Sequence, residues 1–199
     1  MAITHRTATR ALALQQALQQ TPYEYDFYWA VRLLECVHPE HPRLGESLRP
    51  SDDPIRFTQQ PSLSFAPSTL AAFNPGKGNS PSQMEVLFFG LFGPNGPLPL
   101  HLTDYARDRL RNSEDPTFSR FADLFHHRAL SLFYRAWANT RPAVSYDRPE
   151  QDRFATYVAA TCGYAMPSLR ERDAMPDLSL IHISEPTRLK TRSRMPSSA

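Results

Sequence analysis

Apolar positions along this chain fall into helical, then alternating, then helical spacing. Residues 4–20 place Ala11, Leu14 and Leu18 in helical register with glutamines opposite. Thr21-Pro22 interrupts that run, and the proline predicts the start of a second helix over 22–38. His38-Pro39 should end it, because a residue before proline is pushed out of helical geometry. Alternation in IRFTQ (55–59) and SLSFA (62–66) predicts two half-buried strands. Residues 73–81 read as a loop, and MEVLFFGLFG (84–93) as a buried strand, so 54–93 is expected to be strand-rich. Helices are then predicted over 101–113, 116–139 and 150–162, the last stopped by Gly163.

The 116–139 segment carries the strongest signal. Phe118, Phe121, Ala122, Phe125, Ala129, Leu132, Phe133, Ala136 and Trp137 follow three- and four-residue steps along one stripe, widened by Leu124, Leu130 and Tyr134. So large an aromatic payload belongs to a core or to an assembly interface. The predicted class is α+β and mainly helical, with helices at both ends of a small strand-containing middle.

Composition adds limits. With 41% apolar and 21% charged residues the chain is globular in type, and no run of eighteen apolar residues predicts a membrane-spanning helix. Cys36 and Cys162 are widely separated and suit a reducing compartment. Residues 178–199 stand apart. LSLIHISEPTR (178–188) back-translates to a transposase adapter used in sequencing-library preparation, so this stretch reads as an artefactual tail. It holds Arg188, Lys190, Arg192 and Arg194 against Glu185, so setting it aside moves the net charge from +2 to −1. Most of the case for a nucleic-acid partner goes with it.

No catalytic, cofactor or metal set emerges. GKG at 76–78 lacks the phosphate-loop frame. His126 and His127 are helical neighbours pointing about 100° apart, a poor geometry for sharing one ion. Two rivals remain. One is a nucleic-acid module on the arginine-rich helix 103–113, whose Asp104 and Asp108 also favour ion pairing. The other is a hydrolase joining His101, His126 or His127 to a carboxylate and a nucleophile.

RLLE (32–35), PLPLHLTDYARDRLRN (97–112), DPTFSRFADLFHHRALSLFYRAWANTRP (115–142) and SLRERDAMPD (168–177) together resemble the TssG family, also called VasB or ImpH. TssG is a baseplate subunit of the bacterial type VI secretion system. The resemblance implies a non-enzymatic structural protein without cofactor, small-molecule substrate, nucleic acid or membrane insertion. It implies a wedge built with two copies of TssF and linked to TssE and TssK, in the cytoplasm at the inner membrane of a Gram-negative bacterium. It further implies that residues 1–177 form the N-terminal part of a longer protein, with the TssK-reaching region largely beyond it. By residue type, the candidates for core or partner contact are Phe27, Tyr28, Leu34, Tyr105, Phe118, Phe121, Phe125, His126, His127, Arg128, Phe133, Tyr134 and Trp137.

Overall fold

The computed structural model describes residues 12–76, 80–163 and 165–169. The chain divides into two compact units, Met1–Thr140 and Arg141–Ala199. The fold is mainly helical α+β, with a small three-stranded sheet flanked by helices.

In the first unit, residues 12–20 are helical (α1) and bury Leu18. The expected helix 22–38 is in fact two pieces. Thr21-Pro22 opens only a 3-10 turn, Pro22–Glu24, and α2 runs over Phe27–Val37. The break follows from Asp26, whose carboxylate accepts the Tyr28 N–H at 3.1 Å and caps a fresh helix. α2 ends before His38-Pro39, as the proline requires.

The sheet has the order β1 (Ile55–Gln59), β3 (Ser82–Val86), β2 (Leu70–Asn74). β3 is central, parallel to β1 and antiparallel to β2. β1 sits where alternation predicted it, but 62–66 forms no strand and leaves Phe65 exposed. That piece lies between Pro61 and Pro67, which donate no ladder hydrogen bond. The strand is instead LAAFN, part of which had read as loop. A bulge between Leu70 and Ala72 breaks its alternation while Leu70 and Phe73 stay buried.

The apolar run 84–93 is strand only as far as Val86. Beyond it, side chains replace ladder partners. The Gln59 amide clamps Phe92, accepting its N–H at 2.9 Å and donating to its carbonyl at 2.8 Å. Thr103 Oγ1 accepts the Gly93 N–H at 3.0 Å. Gly90, at φ +149, lies where a Cβ would stand 2.1 Å from Gln59 Oε1, so only glycine allows this approach.

Two helices complete the unit. α3 (Leu100–Asn112) meets α4 (Thr117–Asn139) across a small core of Phe92, Ala106 and Ala122, with Leu98 and Phe118 at its margin. Asp115 caps α4 by accepting the Thr117 N–H at 3.0 Å and the Thr117 hydroxyl at 2.5 Å. α2 closes over the sheet through Phe27, which is fully buried between Phe57 and Phe88.

In the second unit a short helix that the sequence had not suggested, α5 (Pro142–Tyr146), precedes the predicted one. The latter is split into a 3-10 turn, Pro149–Gln151, and α6 (Arg153–Thr161). Asp152 resets the helix by accepting the N–H groups of Phe154 and Ala155. Gly163, at φ +83, ends it as predicted. The segment 168–177 and the stretch 178–199 lie almost wholly outside the described residues.

Candidate functional site

The long helix α4 turns most of its apolar stripe outward. Its buried residues are Ser119, Ala122, His126, His127, Leu130, Ser131, Tyr134, Arg135 and Ala138. Phe121, Leu124, Phe125, Leu132 and Phe133 face outward. Of the nine residues of the stripe, read as a core or an assembly interface, only Ala122 is buried. Polar residues displaced the aromatic ones because they answer specific backbone groups.

β1 has one edge on β3, and α4 covers the other. The N–H of Phe57 donates to His127 Nδ1 at 3.3 Å, and the N–H of Gln59 donates to Asp123 Oδ1 at 3.1 Å. Two strand residues span about 6.6 Å and four helix residues about 6 Å, so acceptors at i and i+4 match alternate strand amides. The helix thus satisfies a strand edge that would otherwise be open to pairing.

Each histidine is used at both ring nitrogens. His127 Nδ1 accepts, so Nε2 carries the proton and donates to Asp53 Oδ2 at 3.0 Å. His126 has the opposite tautomer. Its Nε2 accepts the Leu91 N–H at 2.9 Å and its Nδ1 donates to Asp123 Oδ1 at 3.1 Å. Arg128 reaches the Ser47 carbonyl at 3.4 Å, so all three residues of the HHR triplet acquire partners.

Nearer the C-terminal end of α4, Arg135 and Tyr134 hold Glu35 of α2. The Glu35 carboxylate accepts from Arg135 Nη2 at 2.5 Å, from the Tyr134 hydroxyl at 2.9 Å and from the Leu44 N–H at 3.0 Å. Arg135 Nε donates to the Leu44 carbonyl at 2.7 Å. Burial, with the Glu35 carboxylate beside it, pushes the Tyr134 phenol far above its ordinary range. Gly45, at φ +86, lets the loop come close: a Cβ there would stand 2.7 Å from the Ser131 carbonyl oxygen.

The candidate residues therefore differ in burial. Phe27, Leu34, His126, His127 and Tyr134 are buried. Tyr105, Phe121 and Phe125 are more than half exposed, at 52%, 58% and 58%. Arg128 and Phe133 are exposed, and Phe118, Tyr28 and Trp137 are half-buried. Tyr28 stacks on Trp137 at 4.6 Å, and Phe133 stacks on Phe89 at 5.2 Å. Between α4 and segments 59–66 and 87–97 lies an open groove of about 610 Å³, with Phe65, Phe89, Phe125 and Ala129 among its walls. The outer face of α4 is thus largely apolar, and its inner face is rich in hydrogen-bonded polar side chains.

The sequence reading named neither Asp53 nor Gln59 as a site residue. Glu35 lay inside RLLE, Asp123 inside the 115–142 block and Gln59 inside the predicted strand 55–59, whereas Asp53 lay in no quoted segment. A polar residue within an apolar run was the available signal.

Several side chains named in the rival readings are engaged within the chain. Arg107 pairs with Asp104 at 2.8 Å and Arg109 with Asp115 at 2.6 Å, which neutralises two cations of the arginine-rich helix. His126 and His127 are buried with both ring nitrogens engaged, while His101 is exposed on α3. No helix among the described residues is long and apolar enough to cross a membrane.

Comparison with curated proteins finds no match, and comparison with solved structures finds none. The family model described as "Type VI secretion, TssG" matches residues 21–197, a span that takes in most of the stretch read as adapter-derived. The match covers well over half of the chain, which therefore belongs to the TssG family of type VI secretion proteins.

Proposed function

We propose that this chain is a wedge subunit of the type VI secretion baseplate that holds TssF, in two copies, against the outer face of α4. In that assembly it helps to connect the wedge to TssE and TssK. Family membership supports a structural subunit of the secretion apparatus. The outward aromatic face is the observation that carries the finer reading. Phe121, Leu124, Phe125, Leu132 and Phe133 lie along one side of a 23-residue helix and stay substantially exposed. A contiguous apolar surface of this kind marks an interaction site. Aromatic side chains also supply contact area at low entropic cost. Hydrogen bonds from its opposite side anchor α4 independently of this face.

Co-expression with TssF is the test. Alone, the chain should be poorly soluble or elute as aggregate, and with TssF it should elute as one stable complex. A monodisperse monomer that ignores TssF would overturn the reading.

A further inference from the structure

We infer that His38, Glu40 and His41, in the turn after α2, form a three-ligand site for a divalent transition metal, best matched by zinc. One ligand atom from each of these residues lies within 4.8 Å of the others. His38 Nδ1 stands 3.2 Å from Glu40 Oε1, and His41 Nε2 stands 3.8 Å from the same oxygen. Bonds of about 2.0–2.2 Å to nitrogen and oxygen give a tetrahedral zinc site ligand-to-ligand edges of about 3.3–3.5 Å. The two separations to Glu40 bracket that value, and the third edge, within 4.8 Å, must shorten for the three donors to enclose an ion.

The proton positions make the case stronger. His41 Nδ1 lies 2.8 Å from the Asp52 carbonyl oxygen, which can only accept, so Nδ1 carries the proton. In the neutral ring Nε2 then presents its lone pair toward the Glu40 carboxylate. A cation placed between these two acceptors, 3.8 Å apart, would be attracted by both. The carbonyl contact is also the outer support that fixes the tautomer of a metal-binding histidine.

The backbone pre-forms the turn. Pro39 fixes its own φ, and the His41 N–H donates to the His38 carbonyl at 3.3 Å. His38 is the C-cap of the 11-residue α2, so the cluster sits at the negative pole of a helix, where a cation is favoured. A bound metal would tie the end of α2 to the Asp52 turn through His41, with its fourth position open to water or to a donor from another chain.

Zinc should be titrated calorimetrically into the full chain, in its partner complex if that is the soluble form, with the partner alone as blank. One equivalent should bind, weakened at least about tenfold by Glu40→Gln and by His41→Gln. His101→Gln, on exposed α3, should bind as the unaltered chain does. Binding should also weaken on acidification, since ligating imidazoles must be neutral. Because Glu40 is exposed, its variant should keep an unchanged circular dichroism spectrum. No binding, or undiminished binding by the Glu40 and His41 variants, would overturn the site.

Discussion

The two faces of α4 obey opposite rules. Its inner face carries Asp123, His126, His127 and Arg135, each hydrogen-bonded to a backbone group of β1, of the 87–93 segment or of the Leu44 loop. Its outer face carries phenylalanine and leucine in contact with solvent. Hydrophobic burial is non-directional, whereas buried polar groups accept few geometries. The inner face can therefore set the position of the helix, while the outer face remains available to a partner. A subunit that must keep its shape and still present a broad apolar surface gains from this division.

The sharpest way to break the comparison is to attack the inner face at Arg135. Arg135→Met strips the guanidinium from a buried carboxylate and should cost about 3–5 kcal/mol, read as a lower urea midpoint. Combining it with Glu35→Gln should recover part of the loss, because the buried charge is then gone. A loss under 1 kcal/mol, on the order expected for exposed pairs, would deny this network its structural role.

His126→Leu should come next. It leaves the Leu91 N–H without its acceptor and removes a donor from Asp123, at a cost of about 1–3 kcal/mol. Protection of the 87–93 amides in hydrogen exchange should fall before that of β3.

A smaller effect tests the start of α4. The Thr117 hydroxyl, then Arg109 and then the Thr117 N–H hold the Asp115 carboxyl down to about 2, from an ordinary 3.8. With its folded value depressed, the stabilisation is complete above the ordinary carboxylate range and is lost as pH falls toward 2. Thr117→Val should move the Asp115 titration midpoint upward, as read by NMR. An unmoved midpoint would show that the hydroxyl contributes nothing.

Much of this architecture was legible in the sequence, and the reasons for the rest are physical. α3, α4 and β1 announced themselves through periodicity, and proline or glycine marked the ends of α2 and α6. Two helical readings split because Asp26 and Asp152 could each cap a new helix partway through. β2 escaped because its bulge destroys the alternation that defines a strand pattern. The rotation of α4 was illegible for a deeper reason. Hydropathy assigns phenylalanine inward and histidine outward, yet the groups that decided the matter lie far away in sequence. His127 meets Phe57 across 70 positions, and Arg135 meets Glu35 across 100. Spacing along one helix carries no record of such partners. The aromatic face was legible in the sequence as a core or an interface, and the structure leaves most of it exposed.

The most direct measurement pairs stability with assembly in one outer-face variant. Phe121→Ser combined with Phe125→Ser should change the urea midpoint by no more than about 0.5 kcal/mol per site, as expected for surface positions. The same variant should lose most of its co-purification with TssF. A variant that unfolds as readily as Arg135→Met, or one that still captures TssF at full yield, would contradict the account.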